Sequence, residues 1–572
     1  MESQILKRII ETKFTQATIL SAHRRFAKDE DGAVLVFSLT LFVLMAMMGG
    51  IAVDLMRYET TRTTLQNTLD RSTLAAASLS QSLDPEDVVR DYFAKAGLSQ
   101  YLTAVNVDEG LNFRQVHADA RADAEPLFLH MIGINELEAP GASTAEQRIT
   151  NVEIVLSLDV SGSMAGTKIT NLKSAASEFV DTVLSSDGDD RISVGLVPYN
   201  GQVNLGDTMA AKYNLIYPTG IADTKCVDLP SSVYSGTNMS RTLAMPTTTN
   251  ADSYSGTSTS TSYVAANNTS SATVVANNRW CPPSLVNIVR PPINDIATLQ
   301  GYINNLNAVG ATSINAGLKW GLALLDPTSR PMFAELASAG KIPSVFNVRP
   351  FEYTDEEALK VIVLMTDGEH FAEERINTAY KTGNSPIFKA SDGNYSIRHT
   401  TGRPAAAGIK EYFVPHLCVS TNCKNGSNTG EAWSTTKYSN GVQQSWEQVW
   451  ASLRVSYVAW QMYERALGKD SNRNTTYNTW MSNFRTQTPT TNMDSQLQSV
   501  CALAKTKKNV VIYGIAFDAP AAGAQQIKMC TSGYDPAKPN DANPYYFAST
   551  PSNIKNAFRA IATNISQLRL TQ

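Results

Sequence analysis

Val152-Glu153-Ile154-Val155-Leu156-Ser157-Leu158-Asp159-Val160-Ser161-Gly162-Ser163-Met164 is an apolar run that ends in a carboxylate, two hydroxyls and a glycine at tight spacing. Its nearly continuous Val, Ile and Leu content predicts a strand covered on both faces, as in a parallel sheet packed between helix layers. In such sheets ligands bind just beyond the carboxyl ends of the strands, which is where Asp159, Ser161 and Ser163 fall. The set offers hard oxygen donors and neither thiolate nor imidazole, chemistry that suits Mg²⁺, Mn²⁺ or Ca²⁺ rather than zinc. The blander alternative makes Asp159 a helix cap and the two serines turn residues.

Asp159-x-Ser161-Gly162-Ser163 resembles the first part of the metal-ion-dependent adhesion site (MIDAS) of von Willebrand factor A (vWA) domains. Gly310-Ala311-Thr312-Ser313-Ile314-Asn315-Ala316-Gly317-Leu318 is similar to the threonine loop of that site, and Val361-Ile362-Val363-Leu364-Met365-Thr366-Asp367-Gly368 to the strand ending in its second aspartate. The resemblance implies a Rossmann-like α/β fold with a doubly wound, mostly parallel sheet. It also implies a divalent cation, Mg²⁺ first with Mn²⁺ or Ca²⁺ as alternatives, held by Asp159, Ser161, Ser163, Thr312 and Asp367. An ion so held accepts a carboxylate from another protein as its final ligand. The chain departs from the family pattern at Ala311, where a glycine is common, and in the length of two insertions, at about 207–292 and 370–493.

Upstream, Gly32 to Val53 carries no charged residue. In a helix this stretch spans roughly 33 Å, enough for a bilayer core of roughly 30 Å. It reads as a transmembrane helix after a cytoplasmic tail, residues 1–31. Lys7, Arg8, Lys13, Arg24, Arg25 and Lys28 precede it and only Arg57, Arg62 and Arg71 follow at comparable distance, a bias that places the amino terminus in the cytoplasm and the rest across the membrane. Asp31-Gly32-Ala33-Val34, Val53-Asp54, Gln66-Asn67-Thr68-Leu69-Asp70 and Ala75-Ala76-Ala77 resemble the TadE/TadG-like amino-terminal region of tight-adherence (Tad, or Flp) pilus-assembly proteins. Leu196-Val197-Pro198-Tyr199-Asn200-Gly201-Gln202-Val203-Asn204 and Gly317-Leu318-Lys319-Trp320-Gly321 are similar to the TadG branch of vWA proteins.

All six cysteines, Cys226, Cys281, Cys418, Cys423, Cys501 and Cys530, lie beyond the span, in what would be an oxidising compartment. Cys226 with Cys281, Cys418 with Cys423 and Cys501 with Cys530 are plausible pairs, but spacing leaves the connectivity open.

Leu55, Tyr58, Thr61, Leu65, Leu69 and Ala76 extend the helix beyond the membrane, and Pro85 to Ala96 reads as a second one. The rest of 54–150 reads as a small α/β or β-rich spacer, with Gly141-Ala142-Ser143-Thr144 as its last turn. Residues 151–572 then hold the vWA-like domain. Helices are expected after Ser163, from Asp295 to Leu306, just after Thr312 and around 497–505, with strands at 192–197 and 510–517. Asp187-Gly188-Asp189-Asp190 reads as a solvated turn. Thr550 as cap and Pro551 at the first helical position open a closing helix striped by Ile554, Phe558, Ile561, Ile565 and Leu568. The first insertion reads as an exposed loop or short polar strands. The second, with Trp433, Trp446, Trp450, Trp460 and Trp480 and an expected helix from Gln444 to Ala466, reads as a packed subdomain. Glu369 and His370 read as solvated loop residues.

A net charge of −4, from 48 Lys and Arg against 52 Asp and Glu, and the lack of a basic cluster in the body argue against nucleic acid. Gly162 to Lys168 resembles a nucleotide phosphate loop only superficially, and no His-Glu-x-x-His occurs. The expectation is a non-enzymatic inner-membrane protein with a periplasmic vWA-like domain that binds a pilus or envelope protein presenting a carboxylate. Its alternatives are a surface-exposed or pilus-associated adhesin, at the outer membrane or cell surface, and a metal-dependent hydrolase.

Overall fold

The computed structural model describes residues 31–78, 81, 83–109, 113–148, 151–185, 190–217, 224–249, 251–252, 263–274, 279–281, 285–355, 357–418, 432–468, 473–508 and 510–566. The expected cytoplasmic tail up to residue 30 and the expectations at Asp187 to Asp189, Cys423 and Leu568 lie outside these residues. The chain divides into two units, Met1–Arg148 and Ile149–Gln572.

The first unit is built on α1 (Asp31–Ala77), a single helix of 47 residues. Its first half exposes Val34, Phe37, Phe42 and Met48. Its second half buries Leu65, Leu69, Ala76 and Ala77 against α2 (Pro85–Lys95) and the sheet formed by β1 (Leu102–Glu109), β2 (Phe113–Ala124) and β3 (Leu137–Arg148). Asp84 caps α2 by accepting the N–H groups of Glu86 and Asp87 at 2.9 and 3.3 Å. The sheet order is β1-β2-β3, antiparallel throughout. Val116, Ala118, Ala120 and Ala122 alternate along β2 and line the buried face. Gly141 to Thr144 is not a turn: these residues pair with His117 to Ala120 in the middle of β3. The glycine answers a close approach, since a Cβ at Gly141 would stand 2.9 Å from Leu69 Cδ1 of α1.

The second unit is mixed α/β. The elements of its central layers are β4 (Asn151–Asp159), α3 (Thr167–Leu184), β5 (Ile192–Tyr199), β6 (Arg290–Ile293), α4 (Ile296–Asn304), α5 (Ile314–Leu325), β7 (Ala358–Thr366), α6 (Thr490–Lys508), β8 (Val511–Phe517), α7 (Ala521–Cys530), β9 (Tyr546–Ser549) and α8 (Ile554–Ser566). The strands form one sheet in the order β9-β8-β7-β4-β5-β6, parallel except for β6, which runs antiparallel to β5. β4 lies between β5 and β7, so the chain leaves it first to one side and later reaches the other. The carboxyl end of β4 is therefore a topological switch point, where a crevice opens between diverging loops. Burial is continuous along β4, β5 and β7, as expected of strands covered on both faces.

α8 begins at Ile554, not at Pro551. Thr550 and Asn553 form a turn ahead of it, with Asn553 Oδ1 accepting the Thr550 N–H at 2.6 Å. Cys226–Cys281 and Cys501–Cys530 are bonded, the latter joining α6 to α7, and Cys418 is bonded too.

The two insertions share one core. Ala251 and Ala272 of the first pack with Ile387, Phe413, Trp433, Trp446, Trp450 and Phe484 of the second. A five-stranded antiparallel sheet, ordered 433–434, 412–413, 395–398, 384–389, 442–445, carries one side of it. Trp446 and Trp450 stack at 5.1 Å with Phe484 beside both. The stretch from Gln444 to Ala466 is not one helix. It opens in a strand, forms a helix over Trp446–Ser452 and breaks at Leu453 and Arg454. There the Arg454 and Val455 N–H groups donate to Ala272 and Asp252 carbonyls of the first insertion, each at 2.9 Å. The Arg454 guanidinium pairs with Asp252 at 3.2 Å. Tertiary partners thus satisfy the backbone groups that a continuous helix would have used.

Candidate functional site

Three loops meet beyond the carboxyl ends of β4 and β7. The Gly162 N–H donates to the Gly310 carbonyl at 2.8 Å, Val309 N–H to Val160 at 2.8 Å and Phe371 N–H to Thr312 at 2.9 Å. Tyr199, at the end of β5, donates its hydroxyl to the Met365 carbonyl at 2.7 Å and ties together the ends of the two strands that flank β4.

Within this frame Asp159 is fully buried and Asp367 is 3 % exposed, whereas Ser163 is exposed. The floor is closed and the lip is open. Asp159 accepts the Ser161 N–H at 2.8 Å and the Thr366 hydroxyl at 2.7 Å. The Ser161 and Ser163 hydroxyls lie 3.0 Å apart, and Ser163 donates to Asp367 Oδ1 at 2.7 Å. Thr312 Oγ1 stands 3.4 Å from where a Cβ on Gly368 would be. Asp159, Ser161, Ser163, Thr312 and Asp367 are therefore drawn together from three segments of the chain.

Two further residues belong to the cluster. Thr366 orients Asp159, and Lys168, in the first turn of α3, donates to Asp367 Oδ2 at 2.9 Å and pairs with Asp518 at 3.4 Å. The sequence offers no signal for Lys168 beyond its place in the first turn of the helix that follows the serine loop. His370 is not solvated: it is buried, its Nδ1 lies 2.7 Å from Asp494 and its Nε2 accepts the Asn315 N–H at 3.2 Å. With both ring nitrogens engaged, it braces the 366–371 loop against α5 and α6. Glu369 is exposed.

Electrostatics separates the two carboxylates from an ordinary surface pair. Burial, and then the nearby Asp367 charge, push the Asp159 carboxyl up to about 7, against the hydrogen bonds from Thr366 and Ser161 that favour its charged form. Burial opposes the charged form of Lys168, but its contacts with Asp367 and Asp518 leave its ammonium held above the usual lysine range. With both aspartates ionised the cluster has two negative charges and one hydrogen-bonded ammonium at its centre. All its other donors are hydroxyls. Such a set suits a small hard cation, and among the described residues no cluster of three or more His, Cys, Asp or Glu side chains offers a softer site.

Residues 32–79 match the family described as putative Flp pilus-assembly TadE/G-like. No curated protein matches the chain. Among solved structures, the chain is similar to the vWF domain of the type V pili tip protein Mfa5 from Porphyromonas gingivalis, at 12% identity and TM-score 0.29, covering 74% of this chain and 98% of that one. It is also similar to the pilus adhesin RrgA from Streptococcus pneumoniae, at 11% identity and TM-score 0.29, covering 81% and 50%. A third similarity is to the adhesive tip pilin GBS104 from Group B Streptococcus agalactiae, at 11% identity and TM-score 0.28, covering 73% and 100%. Likeness this distant transfers no residue role.

Proposed function

We propose that this chain is a membrane-anchored vWA-type protein of Tad/Flp pilus assembly or tight adherence. In this reading Gly32 to Val53 crosses the inner membrane with the amino terminus in the cytoplasm. The second unit, a Rossmann-like vWA domain, faces the periplasm. Asp159, Ser161, Ser163, Thr312 and Asp367 hold a divalent cation, Mg²⁺ first, and the protein binds rather than catalyses. The observation that carries the reading is the gathering of these five oxygen-bearing residues at a switch point beneath an open lip. The chain that holds them carries a TadE/G-like segment at residues 32–79.

The residues fit the ion. Two carboxylates and three hydroxyls provide only hard oxygen donors, and Mg²⁺ keeps several waters beside one or two carboxylates. When bound, the cation offers a coordination position to a carboxylate from a pilus or envelope partner. The chain's own part is to exclude water from the floor through Asp159 and Val160, to fix Asp159 through Thr366, and to leave Ser163 at the open lip. Lys168 holds Asp367 in place and supplies a second positive group beside the incoming carboxylate.

Calorimetric titration of Mg²⁺ and Mn²⁺ into the detergent-solubilised full chain tests this. Wild type should bind one ion, and Asp159→Ala with Asp367→Ala should bind none while unfolding at a similar temperature. Equal binding by both would place the ion elsewhere, and no binding by either would remove the metal from the mechanism. Partner capture from an envelope fraction should then fail with chelator present.

A further inference from the structure

The first unit carries an apolar loop fastened to α1 at the level where the helix turns from apolar to charged. Asp54 is the first charged residue after Gly32 to Val53, and it is 2 % exposed. Its carboxylate accepts three successive backbone N–H groups, from Leu127 at 2.9 Å, Phe128 at 2.7 Å and Leu129 at 2.8 Å. A turn earlier, Gly50 leaves bare backbone for the Phe128 side chain: a Cβ there would fall 2.4 Å from Phe128 Cγ. The loop is thus seated both at the charged boundary and one turn inside the apolar stretch.

From this seat Leu127, Met131, Ile132 and Ile134 project outward, 56%, 64%, 50% and 40% exposed. Pro126 to Asn135 contains no Asp, Glu, Lys or Arg, and Glu125 and Glu136 bracket it. α1 exposes Met48, Val53, Leu55 and Met56 at the same level. Exposed apolar side chains thus stand both on the helix and on the loop fastened to it. A soluble domain rarely leaves so many of them together in water.

We propose that residues 126–135 form a second membrane contact, an interfacial loop whose apolar side chains enter the outer edge of the bilayer that α1 crosses. The occupant of this surface is lipid. Gly50 precedes Val53 by three residues, about 4.5 Å along the helix, and interfacial segments sink about 5–10 Å into the boundary between headgroups and acyl chains. Phe128 and Met131 then sit at the depth where apolar side chains are stabilised, while Asp54 satisfies the backbone N–H groups that lipid could not. One helix can rotate and tilt freely in a membrane. A helix with a loop pinned at its exit holds the three-stranded sheet in a fixed attitude to the bilayer surface.

This inference rests on the anchoring role of α1, and one experiment separates the two. The full chain is reconstituted in phosphatidylethanolamine and phosphatidylglycerol vesicles with a fluorophore on a single introduced thiol, at Phe42→Cys, Met131→Cys or Asn106→Cys. Among the described residues no cysteine is free to compete for label. Lipids bearing nitroxides at shallow or deep positions report depth by quenching. Met131→Cys should be quenched by the shallow nitroxide several-fold more than Asn106→Cys on β1, and Phe42→Cys most by the deep one. Quenching at Phe42 with Met131 matching Asn106 would overturn the loop contact and leave the anchor standing. No quenching at Phe42 would overturn the anchor, and the loop contact with it.

Discussion

β4 and β7 lie side by side and carry charged residues at both ends, and the two ends are built to opposite plans. At the amino end Glu153 sits in register with Lys360, and the two pair directly with side chains only 3% exposed. Lys360 also donates to the Leu325 carbonyl at 3.0 Å, and Glu153 accepts the Phe351 N–H at 3.1 Å. Arg349 closes the layer, donating to Ser193 Oγ at 3.0 Å and to the Arg191 carbonyl at 2.6 Å. At the carboxyl end Lys168 reaches in from α3, with a side chain 20% exposed, to pair with Asp367 and Asp518, while Asp159 is held by Thr366 and Ser161. One end pairs its carboxylate directly with a cation and is sealed, and the other holds Asp159 by a hydroxyl and a backbone N–H beneath an exposed serine. The difference teaches that one pair of strands can bury a carboxylate against a cation at one end and against hydroxyl and backbone donors, below an open lip, at the other.

The sealed end is the more costly to break. Lys360→Met strips Glu153 of its cation while leaving it buried, which should cost about 3–5 kcal/mol of stability in urea unfolding. Adding Glu153→Leu should recover most of that loss, because an apolar pair of similar volume requires no matched charge. A loss that persists in the double variant would mean that the amino end owes its stability to the hydrogen bonds to Phe351 and Leu325.

The open end should respond to pH near neutrality. Burial first, and Asp367 second, raise the folded-state pKa of Asp159 to about 7 from the ordinary aspartate value of 3.8. Between these values the folded chain holds a proton that the unfolded chain has released, so stability falls as pH rises through the window. Relative to Asp159→Asn, the metal-free wild type should lose about 2 kcal/mol between pH 5 and pH 8. Saturating Mg²⁺ should restore it, and more so at pH 8 than at pH 5, since the ion must displace that proton. Parallel pH curves for the two proteins would show that Asp159 is ionised throughout.

What could be read from sequence follows the same division. β4, β7 and the start of α5 were legible because each couples an apolar run or stripe to a polar motif, and together they locate the open end. The partner of Asp367 was not legible, since Lys168 lies 199 residues away and only the folded sheet brings them together. Nor were the edge strands: Arg290-Pro291-Pro292-Ile293 has prolines that a central strand would refuse, but an antiparallel edge accepts them. The polar first insertion hid its share of an aromatic core, because Ala251 and Ala272 are small residues with no period of their own. Gly141 misled for a related reason. It marks the passage of α1 over β3, a packing fact that looks like a turn in one dimension.

The smallest effect tests whether the lysine at the open end is a rival of the cation or its support. Lys168 Nζ is 2.9 Å from Asp367 Oδ2, so it occupies one oxygen of a carboxylate that the ion would use and repels the ion from close range. Lys168→Met keeps most of the alkyl stem and removes the charge. If the ammonium competes, Mg²⁺ affinity measured by calorimetry should rise about tenfold, equivalent to about 1.4 kcal/mol. If instead the ammonium chiefly holds Asp367 in the orientation that meets Ser163, affinity should fall, and Lys168→Arg should recover part of it. Capture of the partner separates the roles further. A lysine that also faces the incoming carboxylate will leave the methionine variant binding metal more tightly and its partner more weakly, whereas a rival of the cation alone will improve both.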